Sequence, residues 1–191
     1  MPFFGNSRGV PSCMIVNDNF TQTAIGSGTT ALNTFHKVGL DTVLYDSEKA
    51  ADINNSQIIV PTWANFVKVT GHIDFPPQAN GNSFASAHLF RNVGANPVYS
   101  PTALTLIASG KSFQVRGVDS DSPTPEAYYH DRVYYSTLTT GQYISVIGTT
   151  GGWIPVMAVN EIWTLYGWQN SGGTVITPQG TGNWLSVEFS E

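Results

Sequence analysis

Two short stretches hold most of the residues that could do chemistry. Asp119-Ser120-Asp121-Ser122 sets carboxylates at alternate positions of an acidic loop, where their oxygens can converge on one hard cation such as Ca²⁺. The glycine and the distal glutamate of a full calcium loop are absent. A solvated turn is therefore the preferred reading, and no metal site is assigned. Further on, His130-Asp131-Arg132 places an imidazole beside a carboxylate that could orient it. Neighbours on a strand point to opposite faces, however, so a surface histidine and a separate ion pair is the simpler account. Tyr128 and Tyr129 leave the loop Pro123-Thr124-Pro125 and are the best candidates for exposed ligand contacts. With Asp119 and Asp121 they make up the expected ligand-binding set.

No arrangement for catalysis emerges. The sequence has no Gly-x-Ser-x-Gly elbow, no His-Glu-x-x-His, no phosphate-cradling glycine loop with a lysine and no cysteine cluster. Glu126, Asp131 and Glu161 could supply the paired carboxylates of a glycosidase, but nothing in their spacing brings them together. The expectation is a protein without enzymatic activity and without a cofactor. Aromatic residues are the other resource: Tyr134, Tyr135, Trp153, Trp163 and Trp168 join the two tyrosines above. They suit either a stacking surface for a sugar or an apolar seam between subunits, most of them core or seam.

The elements that must position these residues are strands. Apolar residues nowhere recur with helical spacing over a dozen positions, and the best helical candidate is a turn or two over Asp46 to Ile53. Alternation with period two is frequent. Val67, Val69, Ile73 and Phe75 alternate with Lys68, Thr70, His72 and Asp74; Leu185, Val187 and Phe189 alternate with Trp184, Ser186 and Glu188. The first set of each faces a core. Ile162 to Trp168 reads as a strand, as do Thr42 to Tyr45, Ala85 to Phe90, Ser112 to Val118, Arg132 to Tyr135 and Tyr143 to Ile147. Turn residues separate them at 75 to 82, 92 to 97, 149 to 152 and 170 to 173. Many short strands between such turns mean a sandwich, jelly roll or barrel.

Residues 1 to 35 differ. They carry Gly-Ser-Gly-Thr-Thr and few strand signals, yet they include Phe3, Phe4, Met14, Ile15, Val16 and Phe20. An extended arm that docks on something fits this composition: its own domain, a neighbouring subunit or a larger particle, strand addition being a common mode. The division expected is an arm over 1–35 and a β-sandwich over 36–191. In 191 residues a single core suffices. Charged residues are only 11%, well below the roughly 25% of ordinary domains, so Gly, Ser, Thr and Asn cover much of the surface. Such a surface suits subunit contacts, because it spares the desolvation of buried ions. A net charge of -5 with eight Lys and Arg excludes a nucleic-acid footprint. No apolar run approaches the ~20 residues of a membrane span, so membrane insertion is not expected, and the first residues lack the pattern of a secretory signal. The lone Cys13 rules out an intrachain disulfide and fits synthesis in a reducing cytoplasm.

Glu-Ile-Trp-Thr-Leu-Tyr-Gly-Trp-Gln-Asn-Ser-Gly-Gly at 161 to 173 and Gly-Asn-Trp-Leu-Ser-Val-Glu-Phe at 182 to 189 resemble the last two strands of the complement C1q-like, tumour-necrosis-factor-like jelly roll, as found in bacteriophage structural proteins. Ile58 to Pro61 with Phe66 to Thr70, and Ala87 to Asn92, resemble earlier strands of that family. Trp63-Ala64-Asn65 stands where the family has a glycine, and residues 93 to 155 exceed the family's spacing. The resemblance implies a jelly-roll β-sandwich that forms a homotrimer with the C-terminus near the threefold axis. It also implies a virion protein assembled in the host cytoplasm. Two viral roles follow as expectations. One is a capsid-surface decoration or head-spike protein bound to the major capsid protein through the arm. The other is a tail-fibre or baseplate component that recognises a host-surface glycan. A secreted lectin-like or cytokine-like module is the third.

Overall fold

The computed structural model of the protein describes residues 9–18, 24–25, 36–76, 84–92, 113–115, 126–134, 144–169, 175–176 and 182–191. In chain order the strands are β1 Ser12–Val16, β2 Ala24–Ile25, β3 His36–Lys37, β4 Thr42–Asp46, β5 Ala51–Asp52, β6 Gln57–Ile59, β7 Phe66–Phe75 and β8 Phe84–Asn92. There follow β9 Phe113–Val115, β10 Glu126–Tyr134, β11 Ile144–Thr149, β12 Ile154–Pro155, β13 Ile162–Gln169, β14 Val175–Ile176 and β15 Trp184–Ser190. One sheet runs β11-β7-β15-β1-β4, with β12 beside β7; the other runs β5-β6-β13-β8-β10-β9, with β3 beside β13. A small ribbon joins β14 to β2. All pairings among the described strands are antiparallel.

Alternation in the sequence is what assigns the faces. Val67, Val69, Ile73 and Phe75 are fully buried on β7, as are Leu185 and Val187, with Phe189 1% exposed, on β15. They pack against Leu89 of β8 and Trp163 and Leu165 of β13 in one hydrophobic core. Each such aliphatic or aromatic side chain contributes roughly 1.5–3 kcal/mol through burial. Gly71 of β7 lies opposite Gly148 of β11. A Cβ at Gly71 would stand 2.6 Å from Leu165 Cδ1 and 3.0 Å from Leu89 Cδ2. The absent side chain there is the notch into which the facing leucines fit.

Two expectations are corrected. Of the surfaces on which the arm could lie, residues 12–16 take their own domain and not a partner: β1 sits between β15 and β4, with Cys13 opposite Val187 and Ile15 opposite Leu185. Ile15 and Val16 are 0% and 1% exposed and Met14 is half-buried. The first two are spent on the molecule's own core and cannot dock a partner. Phe3, Phe4 and Phe20 lie outside the described residues. No helix forms over Asp46 to Ile53. The Asp46 carboxylate accepts the backbone N–H groups of Glu48, Ala50 and Ala51 at 3.1, 2.9 and 2.9 Å, and Lys49 turns left-handed at φ 59°. This local competition for backbone donors is the usual way aspartate defeats a helix. Ala51 and Asp52 then pair with β6, and only Ile53–Asn55 forms a 3-10 turn, capped by Asp52.

Cys13 is buried, and its thiol is pushed up to about 12, first by burial and then by the charge and hydrogen bond of Asp46. It behaves as a small core residue.

Candidate functional site

The Asp46 turn presents Glu48 at one end of the sandwich. A second turn, closed by the Ala64 N–H donating to the Pro61 carbonyl at 3.1 Å, presents Trp63. The Trp63 Nε1–H donates to Glu48 Oε2 at 3.1 Å, and the ring meets Phe189 edge to face at a centroid distance of 6.4 Å. The indole is thus fixed at its polar edge and on one side, yet remains 37% exposed. A third turn follows β11. Thr150 Oγ1 donates to the Gly152 carbonyl at 2.8 Å, the Gly151 N–H donates to Thr149 Oγ1 at 3.1 Å, and Gly151 takes φ 73°. It delivers Trp153, 45% exposed.

These three turns, with Gly9, Val10 and Pro11 and the end of β15 at Ser190 and Glu191, line a groove of about 640 Å³. That volume lies within the usual range for small-molecule sites. Among its described lining residues Glu48 and Glu191 are the charged ones, and none is a lysine, arginine or histidine. Two solvent-facing indoles beside carboxylates can bind an apolar face or a cation.

A second acid-tryptophan pair lies inside. Glu161 and Trp163 are both fully buried. Trp163 Nε1–H donates to Glu161 Oε1 at 2.8 Å, and the Met157 N–H donates to Glu161 Oε2 at 2.8 Å. The Arg91 guanidinium carbon stands 5.8 Å from the Trp163 ring centroid, and its Nη1 donates to the Pro155 carbonyl at 3.1 Å. Burial pushes the Glu161 carboxyl up, opposed by the Met157 hydrogen bond, the Arg91 charge and the Trp163 hydrogen bond. This network anchors the loop between β12 and β13.

At the opposite end of β7, Ser145, Asp74 and His72 supply the residue types of a nucleophilic triad, but not its order. Ser145 Oγ donates to Asp74 Oδ1 at 2.6 Å, and His72 Nε2 is 3.7 Å from the same oxygen. His72 Nδ1 faces the Gly182 carbonyl, which can only accept, so Nδ1 carries the proton. The ring stacks on Trp184 at 5.7 Å. The serine proton thus goes to the carboxylate rather than to an imidazole, which is not how a serine is activated. Asn183 Oδ1, accepting the Asp74 N–H at 3.0 Å, completes a hydrogen-bonded clasp between β7, β11 and β15.

The residues expected from sequence fall elsewhere. Tyr128 and Tyr129 lie in β10, which begins at Glu126, with their backbones paired to Leu89 and His88 of β8 on one side and to Gln114 and Phe113 of β9 on the other. Asp119 and Asp121 lie outside the described residues. Among the described residues no cluster of three or more His, Cys, Asp or Glu could hold a metal ion. Sequence reasoning overlooked Glu48 and Trp63 as a pair, because hydrogen bonding across two turns leaves no spacing signal. One clue was available: Trp63-Ala64-Asn65 replaced a glycine where the resemblance expected one.

No family model matches the chain. No curated protein matches it either. Solved structures do. Murine APRIL at pH 5.0 aligns with a TM-score of 0.51 and 8% identity over 95% of this chain and 100% of that one. Eiger TNF from S. frugiperda aligns with a TM-score of 0.52 and 7% identity, over 96% and 94%. At these identities the likeness is one of fold: a jelly roll of the tumour-necrosis-factor-like kind.

Proposed function

We propose that this jelly roll is a non-catalytic module of a bacteriophage particle, a homotrimer displayed on the capsid surface as a decoration protein. The observation that carries self-association is the edge strand β4. Val43, Leu44 and Tyr45 are 41%, 56% and 43% exposed at the outer edge of their sheet. Sheet edges are normally guarded by charge, proline or a bulge away from solvent; among the described residues β4 is an edge with one such device, a register shift that leaves Leu44 as the extra residue between the Met14–Tyr45 and Ile15–Val43 pairs, yet it still shows three apolar side chains in succession. Covering them with neighbouring subunits removes the hazard. The viral setting draws on the resemblance of residues 161 to 173 and 182 to 189, and the low charge suits a packed shell. Docking to the major capsid protein would fall to Phe3, Phe4 and Phe20, since Ile15 and Val16 belong to the core.

Light scattering of the purified chain, alone and mixed with undecorated capsids, tests this reading. A trimer that binds capsids supports it, and Leu44→Glu should then yield smaller species. A monomer at micromolar concentration, or a trimer indifferent to capsids, overturns the decoration role.

The groove favours a second placement, in which the same trimer sits on the tail and contacts a host-surface glycan that carries amino groups. Purified protein that adsorbs to host cells but not to capsids would move the assignment there.

A further inference from the structure

We infer that the groove between Trp63 and Trp153 is a binding site for an organic ammonium group. The inference concerns the chain alone and holds for either placement in a particle. Three features combine. First, two indoles from separate turns line one groove with 37% and 45% of their surface open, and tryptophan has the aromatic face that attracts cations most strongly. Second, the charged side chains among the described lining residues are acidic, Glu48 and Glu191, and none of the described lining residues is cationic. Third, the Trp63 Nε1–H is already committed to Glu48. That bond withdraws the indole's one polar donor and leaves ring surface as the means of recognition. A neutral sugar would draw on the donor and gain nothing from net charge, whereas a cation uses the ring and the carboxylates together. The edge-to-face contact with Phe189 holds the Trp63 ring before any ligand arrives, which reduces the ordering cost of binding.

The test titrates the full chain with choline and with n-butylammonium, following tryptophan fluorescence. The neutral isostere of choline, 3,3-dimethylbutanol, and methyl glucoside serve as uncharged probes. A saturable change with at least one cation is expected, about tenfold tighter than with either neutral compound. Trp153→Ala should weaken cation binding by about tenfold. Glu48→Gln is the sharper variant: its amide oxygen still accepts the Trp63 N–H, so the ring stays placed while the charge is lost, and cation affinity should fall about three- to tenfold. Choline binding more tightly than butylammonium would identify a methylated headgroup as the source, and the reverse a lysine-like amine; both support the site. No saturation with either cation overturns the inference. So does equal binding of the neutral isostere, tighter binding of methyl glucoside, or a Glu48→Gln variant that binds cations unchanged.

Discussion

Among the described residues the same bond, a tryptophan Nε1–H to a glutamate carboxylate, occurs in two opposite settings. Inside, Trp163 and Glu161 are fully buried and 2.8 Å apart; at the groove, Trp63 and Glu48 are 3.1 Å apart and open to water. Geometry hardly differs, so the consequence must come from the surroundings. A buried donor that loses its acceptor keeps its full desolvation penalty, whereas an exposed one turns to water. The inner pair therefore holds the fold together. The outer pair orients a ring that is free to do something else.

The comparison breaks most visibly at Glu161. Glu161→Ala strands the buried N–H groups of Trp163 and Met157 and should cost about 2–5 kcal/mol in urea unfolding; a loss under about 1 kcal/mol would dissolve the distinction. Next is the turn that carries Glu48. Asp46→Ala removes the acceptor of three backbone N–H groups and should cost about 1–2 kcal/mol, as loss of a capping side chain does, while releasing Glu48 from Trp63. Glu48→Ala itself should change unfolding free energy by only about 0.5 kcal/mol, yet shift the Trp63 emission; a double-mutant cycle with Trp63→Phe would measure the small coupling directly.

The subtlest contrast is with pH. Burial raises the Glu161 carboxyl above its ordinary 4.5, so the folded state holds the proton more tightly than the unfolded one. Its contribution to stability is then fully present below 4.5 and is lost as pH rises through the folded value. Melting temperatures of the wild type and Glu161→Gln should therefore diverge as pH falls toward 4.5, the wild type gaining. Melting temperatures that stay parallel through this range would count against a buried, proton-retaining Glu161.

What the sequence made legible follows the same division. Alternation in β7 and β15 gave both faces correctly, because one face of each strand meets the core and hydrophobicity has to follow. Within β1, Cys13-Met14-Ile15-Val16 is a continuous apolar run, and because an unbroken run does not announce a face, it fits an arm docked on its own domain as well as one docked on a partner. Asp46 to Ile53 had helical composition, but the carboxylate of Asp46 captured the donors. Tyr128 and Tyr129 follow Pro123 to Pro125 in sequence, but that their backbones pair with β8 and β9 on both sides is a long-range fact that local spacing does not carry. The groove was least legible of all: Gly9, Glu48, Trp63, Trp153 and Glu191 come from segments far apart in sequence, and only the sheet order of β7, β15 and β1 brings their ends together.

That sheet order also bears on how the molecule reaches its fold. β15 lies between β7 and β1, and its flank is clasped to β7 across a separation of 109 residues, from Asp74 to Asn183. Until β15 arrives, β1 and β7 each have an unpaired side, and the apolar faces of both strands have no neighbour between them. Such long closures are slow, and open strand edges that persist are where chains stick to one another. Yield in the test tube or the cell should then depend on how promptly this one strand is delivered into its slot.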